Sequence, residues 1–446
     1  MKASHTLDTM RTSFDEEHLV AKAGLLLPAT LMQRLGVCEL LDEHVDLGPV
    51  PGAANIGLKG SALVAALIVG AKWINDVAVL RAGDSATVLG HWVAAASTMG
   101  TFLRAFTWGH VRQLDVVSGA LLTRAWQAGA GPGADPLTID VDSTICETYG
   151  LQKQGGSKFT YAKVRGYHPL LAVAAGLGDV LHTRLRGGPA FTARGAGSFI
   201  TETVRRVRAA GASGLLTLRA DSGFYNHAVV AACRARGMRF SITVRLSPAL
   251  HRVIGEIAEA DWVPIPDWLE GAADVAETTY APFAHRGART AVRLIVRRVR
   301  PTPGSQLEFA GFQYTHHALI TDRDGEMLAL EADHRRHAVV ENAIRDLKDG
   351  MALDHLPSGR FGANGAWLGF NVIAHNLVRW LSRVSLDETL VTTTTVRTRH
   401  IAIPGWLVRH ARQLHLHLPA RWPWAEQFQA GLERLRSLSV AVPTPA

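Results

Sequence analysis

Cysteine is scarce in this sequence, and long apolar runs are missing. Only three cysteines occur among 446 residues, and none of them forms a CxxC pair. This scarcity argues against a disulfide framework and a structural zinc site, and it favours a reducing compartment. The longest apolar run, residues 61–71, is too short to span a bilayer and predicts a buried helix. The first residues are acidic and lack an apolar core, so we expect no secretory signal peptide.

The overall composition is that of a globular protein with an excess of positive charge. Hydrophobic residues make up 47% of the chain and charged residues 19%, which argues against disorder. The length suggests about two or three domains. The formal net charge is +8, and a basic balance weakly favours a polyanionic partner.

One short stretch, residues 137–144, carries the strongest chemical signal. Its apolar and polar residues alternate, which predicts a strand with one buried side. Ile139 and Val141 point one way, and Asp140 and Asp142 point the other. Two carboxylates on one side of a strand repel each other, and a fold tolerates this most easily where a cation binds.

The order of predicted elements favours a mixed α/β protein. Residues 1 to about 130 have helical spacing, and the tail after residue 386 has strand-like pieces over 395–403 and 413–418 and a helix over 425–437. Between them, strands are predicted over 137–144, 167–175, 180–186, 214–221 and 238–245, with helices over 198–210 and 226–236. Three antiparallel strands followed by alternating helices and strands match a ribonuclease-H-like core, with a mixed five-stranded sheet and flanking helices.

A β-rich segment follows this predicted core. Strands are indicated over 278–280, 290–299 and 316–321, separated by loops rich in proline and glycine. In the second of these strands, Arg293 and Arg297 share one face, which predicts one basic surface.

Two further acidic residues stand at positions suited to a site. Asp221 ends the fourth predicted core strand before a glycine turn, where open α/β sheets place their sites. A helix-capping aspartate explains it about equally well. Glu341 lies in a predicted helix over 334–348, on one arc of about 80° with four basic side chains. These are His334, His337, Arg345 and Lys348. An ordinary amphipathic surface helix is the alternative.

Three motifs in this order resemble the signatures of DDE transposases of bacterial insertion sequences. They are Asp-Ser-Thr at 142–144, Arg-Ala-Asp-Ser-Gly-Phe at 219–224 and Glu-Asn-Ala-Ile-Arg-Asp-Leu-Lys at 341–348. The resemblance runs over about residues 137–380 and is nearest to the insertion-sequence-1380 type, within the insertion-sequence-4-like superfamily. Two positions of the third signature differ, because His334 stands where the family has Tyr and His337 where it has Arg.

The resemblance implies a site, a reaction and partners. Asp142, Asp221 and Glu341 would be the catalytic, metal-binding triad, holding two Mg²⁺ ions for which Mn²⁺ can substitute. The enzyme would cleave double-stranded DNA at terminal inverted repeats and transfer the 3′-hydroxyl ends into target DNA. It would work as a homodimer or larger synaptic complex in the cytoplasm, at the bacterial nucleoid.

The same resemblance divides the chain into five parts. These are a helical DNA-binding or dimerisation domain (1–132), the first part of the core (133–245), a β-rich insertion domain (246–323), the second part of the core (324–386) and a C-terminal region (387–446). The DNA-binding candidates are His334, His337, Arg345, Lys348, Arg293, Arg297, Lys158 and Lys163.

The sequence leaves alternatives open both for the first acidic residue of the site and for the function of the protein. Asp140 competes with Asp142 for the first acidic position, although the Asp-Ser-Thr register favours Asp142. The two histidine departures support an inactive or host-adopted derivative that binds DNA without cutting it. A ribonuclease-H-like metal nuclease is a further alternative, since it would share the fold and the metals.

Overall fold

The computed structural model describes residues 7–150, 153–266, 268, 272–284, 290–301, 313–354, 356, 358–389 and 391–439. Its strands are β1 (Leu19–Val20), β2 (Leu137–Ser143), β3 (Cys146–Glu147), β4 (Lys158–Phe159), β5 (Arg165–Tyr167), β6 (Leu170–Ala174), β7 (Val180–Arg184), β8 (Leu216–Ala220), β9 (Arg239–Val244), β10 (Val263–Pro264), β11 (Ala273–Tyr280), β12 (Val292–Val299), β13 (Thr315–Thr321), β14 (Gly405–His410) and β15 (Gln413–His417). Its α-helices are α1 (Leu26–Leu35), α2 (Val37–His44), α3 (Ile56–Val69), α4 (Ser85–Leu89), α5 (Ala96–Ala105), α6 (Trp108–Ala125), α7 (Ala196–Ala209), α8 (His227–Ala235), α9 (Pro248–Gly255), α10 (Met327–Arg335), α11 (Val339–Met351), α12 (Phe361–Val384), α13 (Thr393–Val396) and α14 (Ala425–Ser437).

A mixed sheet organises the molecule and confirms the predicted α/β class. In the described residues it has nine strands, in the order β10-β11-β12-β13-β9-β8-β2-β6-β7. Strands β2, β8 and β9 run parallel to one another, and the other neighbouring pairs are antiparallel. The five strands predicted for the core form one contiguous half of this sheet. The β-rich segment extends the same sheet, because β13 pairs with β9 from Ala318↔Val244 to Thr321↔Ser241.

One hydrophobic core joins the N-terminal helices, the sheet and the C-terminal region. Helix α12 is buried along nearly its whole length and packs against α3 and α6. A strand near the N-terminus also pairs with one in the C-terminal region, since β1 pairs with β14 through Leu19↔Trp406 and Val20↔Gly405. The N-terminal helices therefore share their buried surface with the part of the chain that carries the candidate site.

The structure corrects two predicted elements outside the site. The first N-terminal helix, which the spacing predicts over residues 19–41, begins only at Leu26 and is interrupted at Gly36, whose φ of 68° lies in the left-handed region that glycine tolerates. The predicted strand over 395–403 is wrong, because α13 and a π-helical turn occupy this stretch. Thr392 caps the helix by accepting a hydrogen bond from the Thr395 amide, and Arg397 donates to carbonyls of α3. These tertiary contacts outweigh the strand propensity of the local sequence.

Within the described ranges, no single helix is both long enough and apolar enough to cross a membrane, and two sharply bent helix pairs meet that criterion only when joined.

Candidate active site

Two of the three predicted acidic residues lie side by side at the carboxyl ends of parallel strands. Strand β2 pairs with β8 up to Val141↔Ala220, so Asp142 and Asp221 are the next residues on neighbouring strands. Asp140 and its partner Arg219 lie two residues earlier, so Asp142 and Asp221 project to the same face of the sheet. Neighbouring strands lie about 4.8 Å apart. The order of the strands thus brings together two carboxylates that are far apart in the sequence.

Asp221 caps a short helix and still has an exposed carboxylate, so the capping interpretation and the site interpretation are compatible. Its Oδ1 accepts a hydrogen bond from the Gly223 amide at 3.0 Å and caps the short 3-10 helix Ser222–Phe224. The side chain nevertheless remains exposed at the end of the strand. Asp142 is partly buried, and its Oδ1 accepts from the Ser143 amide at 2.6 Å.

Asp140 has a different environment from Asp142, although both belong to the same side of β2. It is 1% exposed and accepts two hydrogen bonds from Arg219, Nε to Oδ1 at 2.7 Å and an Nη to Oδ2 at 2.8 Å. His337 Nδ1 lies 2.9 Å from the same Oδ1. The sequence predicted that only the apolar side of β2 is buried. The structure corrects this, because Asp140 on the polar side is buried as well.

Glu341 lies in the first turn of α11, after a break in the helix predicted over 334–348. Helix α10 ends at Arg335, a 3-10 turn covers Arg336–Ala338, and α11 begins at Val339. The apolar side of α11 is buried through Val340, Ile344 and Leu347. Glu341 is exposed, and no described residue forms a hydrogen bond or an ion pair with its carboxylate.

The three carboxylates share one electrostatic environment. Burial, together with the negative charges of Asp221 and Glu341, raises the pKa of Asp142 from 3.8 to about 6, although the Ser143 amide and His337 oppose this shift. Their atoms are not gathered into a closed cage, because the described residues contain no group of three Asp, Glu, His or Cys side chains close enough to hold a metal ion. The arrangement is a concentration of negative charge, and among the described residues no cation is paired with Glu341.

A cleft of about 600 Å³ opens at this edge of the sheet. Asp142 and Asp221 line it, together with Arg245, the residue that follows β9. Sequence reasoning missed Arg245. The signal was its position directly after a third parallel strand, where it lies at the same edge as the two carboxylates.

His334 does not lie on the same arc as Glu341, so the predicted DNA contact from this side chain needs correction. Its two ring nitrogens each lie 2.8 Å from a hydroxyl, one from Ser241 and the other from Thr243. Burial and the neighbouring positive charges lower its pKa to about 3, so the ring is neutral near pH 7. Both nitrogens have protein partners, and this side chain connects α10 to β9.

The basic surface predicted on β12 is only partly available. Arg293 forms an ion pair with Glu277, and Arg297 forms one with the buried Glu331 of α10. Between them, Ile295 packs in a small apolar cluster with Leu330 of the same helix. Helix α10 thus covers the middle of the face that the strand pattern predicted to be basic.

The other DNA-binding candidates differ in whether their side chains already have partners within the protein. Lys348 Nζ donates to the Ile145 carbonyl at 3.1 Å, and His337 is paired with Asp140. Lys158, Lys163 and Arg345 are exposed, and no described residue forms a hydrogen bond or an ion pair with their side chains. These three side chains are the ones free to contact phosphate.

The sequence matches a family model, Transposase DDE domain group 1, over residues 3–440. The chain therefore belongs to the DDE transposase domain family, and it is an enzyme of DNA transposition and recombination. No curated protein matches it by sequence. Its structure is similar, with a TM-score of 0.45 and 10% identity, to a cryo-EM structure of the piggyBac transposase synaptic complex with hairpin DNA, over 96% of this chain and 87% of that one.

Proposed function

We propose that this transposase uses Asp142, Asp221 and Glu341 to bind two Mg²⁺ ions and to cut DNA at terminal inverted repeats. It then joins the 3′-hydroxyl ends to target DNA. One arrangement carries the proposal: Asp142 and Asp221 lie side by side at the carboxyl ends of adjacent parallel strands, and α11, which carries Glu341 in its first turn, packs against β2. In this proposal the contiguous strands β7-β6-β2-β8-β9 are a ribonuclease-H-like core of the insertion-sequence-1380 type.

The donor set fits Mg²⁺ rather than a softer metal. All three side chains offer carboxylate oxygens, the ligands that Mg²⁺ prefers, and no thiolate or imidazole is required. Their mutual repulsion is the feature that a divalent cation would relieve. When bound, such ions supply Lewis acidity to the attacking and leaving oxygens of an in-line displacement, and Mn²⁺ can replace Mg²⁺.

The residues of the chain provide the frame for this chemistry. The buried group formed by Arg219, Asp140 and His337 fixes the turn before α11 against β2. Glu341 follows one helical turn later and is thereby held near Asp142. Asp142 and Asp221 keep their positions through the hydrogen-bonded ladder between β2 and β8.

Double-stranded DNA is the partner that this proposal requires, as both the terminal repeats and the target. The formal charge of +8 is consistent with binding a polyanion. Lys158, Lys163 and Arg345 supply free cations in addition to those that are internally paired. Both ends of an element must be held at once, so the active assembly contains at least two copies.

A cleavage assay tests the proposal. The full-length protein is incubated with duplexes that carry the DNA sequences flanking its reading frame, in Mg²⁺, Mn²⁺ or EDTA. We expect metal-dependent release of a 3′-hydroxyl at the repeat boundary, and its joining to a plasmid. Asp142→Asn, Asp221→Asn and Glu341→Gln should lose cleavage while still binding DNA. Asp349→Asn, which removes an exposed carboxylate from the same helix as Glu341, is the matched control and should cleave normally.

Two outcomes would contradict the proposal. Cleavage that ignores the terminal sequence would indicate a nuclease. Specific binding of the ends without any cleavage in either metal would indicate a DNA-binding derivative.

A further inference from the structure

Three aromatic side chains lie exposed around the cleft that contains Asp142 and Asp221. Phe159, Tyr161 and Phe191 line this cleft and are 64%, 74% and 57% exposed. We call these three residues the aromatic rim. Large aromatic side chains bury 150–250 Å² each when they find a partner, so three of them beside a polar site indicate a surface that binds something flat and apolar.

The aromatic rim stands on two segments that are fixed to each other. Phe159 and Tyr161 belong to the β4–β5 hairpin, and Phe191 belongs to the loop between β7 and α7. At Gly188 this loop passes so close to the hairpin that a Cβ would lie 2.4 Å from the carbonyl oxygens of Gly166 and Lys158. Only glycine allows this approach, and it holds the two segments at a constant separation.

Buried polar residues hold the loop and connect it to the site. An Arg186 Nη donates to the carbonyls of Phe191 and Thr192 at 3.2 and 2.9 Å. The buried His168 donates from Nδ1 to the Ala190 carbonyl at 2.9 Å, and its Nε2 lies 2.8 Å from the hydroxyl of Ser143, next to Asp142. Phe191 is thus exposed on a rigid support, and the support is tied to the strand that carries the carboxylate.

A free cation lies in the same cleft. Arg245 is exposed, and within the described part of the chain its guanidinium has no hydrogen bond or ion pair. An unpaired arginine beside flat apolar side chains provides the two contacts that a nucleotide needs, one for phosphate and one for the base.

We propose that the aromatic rim and Arg245 form a binding site for unpaired nucleotides of a DNA strand that enters the cleft. The bases stack on Phe159, Tyr161 and Phe191, and Arg245 binds a phosphate of the same strand. In an intact duplex the faces of the bases are covered by their neighbours, so stacking on this rim requires an unpaired strand. A cleft of about 600 Å³ has the size of a site for one or a few such groups. The choice of DNA as the ligand rests on the proposed function.

Equilibrium binding tests this inference without cleavage. Two duplexes of the same sequence, one blunt and one ending in a single-stranded overhang that contains 2-aminopurine, are titrated with the full-length protein in EDTA. We expect tighter binding of the overhang duplex and quenching of 2-aminopurine fluorescence on binding, since stacking quenches it. Phe159→Ala, Tyr161→Ala and Phe191→Ala should each weaken overhang binding about 5- to 100-fold and leave blunt binding unchanged.

Matched variants separate stacking from a general loss of structure. Phe191→Trp keeps a ring face and should retain tight overhang binding. Trp406→Ala removes an aromatic side chain of similar exposure, 47%, from the separate β14 sheet and should change neither affinity. Arg245→Ala should weaken overhang binding and reduce its dependence on salt.

The inference would be overturned if the parent protein bound both duplexes equally, or if the triple alanine variant of the rim kept the overhang preference. Neither result depends on cleavage. A protein that cuts repeat ends but shows no overhang preference would contradict this inference alone. A protein that prefers overhangs and cuts nothing would contradict only the proposed function.

Discussion

Arg219 and Asp140 form a buried, bidentate ion pair next to the candidate active site. Their side chains are 3% and 2% exposed, and two hydrogen bonds of 2.7 and 2.8 Å join them across β2 and β8. Asp140 is two residues from Asp142, and Arg219 is two residues from Asp221. The pair therefore fixes the register of the two strands whose ends carry the carboxylates, and it extends to α11 through His337.

Removing one partner of this pair should strongly destabilise the protein. Asp140→Ala leaves the Arg219 guanidinium buried with Asp333 as its one remaining acidic partner among the described residues, and we expect the free energy of unfolding to fall by about 3–5 kcal/mol. Asp324→Ala is the control, because Asp324 also pairs with an arginine but is 94% exposed. Its removal should cost less than about 1 kcal/mol. Urea denaturation measures both values, and equal effects would show that burial does not set the strength of the Asp140 pair.

Divalent cations should stabilise the protein in a way that depends on pH. The pKa of Asp142 is raised from 3.8 to about 6 in the folded protein, so between these values the folded state holds a proton that the unfolded state has released. Without metal, stability contributed by this group is present at low pH and is lost as pH rises through about 6. Mg²⁺ stabilises the ionised form and should restore stability above that pH.

Thermal unfolding with and without Mg²⁺ checks this expectation. At a hundred times its dissociation constant, Mg²⁺ should add about 2.7 kcal/mol at pH 8, and much less at pH 5. Asp142→Asn removes the titrating group and should show neither the metal effect nor this part of the pH dependence. A metal effect of equal size at both pH values, or one retained by Asp142→Asn, would contradict the proposed ligand.

Lowering the pH should destabilise the protein through His334, whereas it stabilises the protein through Asp142. Its pKa is lowered to about 3 by burial, against 6.5 for an unperturbed histidine. Between these values the unfolded state binds a proton that the folded state excludes, so stability falls as pH drops below about 6.5. His334→Gln keeps hydrogen-bonding capacity toward Ser241 and Thr243 but cannot titrate, and it should flatten the profile between pH 4 and 6. If the profile of the variant matches that of the parent, His334 is not the group responsible.

Salt-dependent DNA binding should separate free cations from paired ones. Arg345→Ala and Lys158→Ala should each weaken binding of duplex DNA and reduce the salt slope by about 1, as expected for loss of one phosphate contact. Arg293→Ala is the comparison, because its charge is already neutralised by Glu277. We expect a smaller change in slope for this variant. A larger change would mean that Arg293 exchanges its ion pair for phosphate when DNA binds.

Local pattern predicted the elements of the site well. The alternation in residues 137–144 gives a strand at Leu137–Ser143, and the buried run before Asp221 gives one at Leu216–Ala220. Both predictions depend only on the local pattern of apolar residues, alternating in the first strand and continuous in the second, which adjacent residues determine. The helix at the end of the chain was predicted with the bounds it has, Ala425–Ser437.

Contacts between distant residues could not be predicted in the same way. The period of β2 places Asp140 and Asp142 on one side, but only the pairing with β8 shows that Arg219 neutralises Asp140. Likewise, His334 has the spacing of a surface residue, but its ring is partly buried and forms hydrogen bonds with two hydroxyls of β9. The break at Arg336–Ala338 has no proline or glycine to signal it.

The shared sheet has a mechanical consequence for catalysis. Four paired positions, Ala318↔Val244 to Thr321↔Ser241, join the β-rich segment to β9, the strand that precedes Arg245. A hinge motion between β13 and β9 would have to break main-chain hydrogen bonds in the middle of the sheet. In the proposed function, DNA bound by that segment would stay at a fixed distance from the carboxylates, and any rearrangement during the reaction would have to occur elsewhere in the molecule.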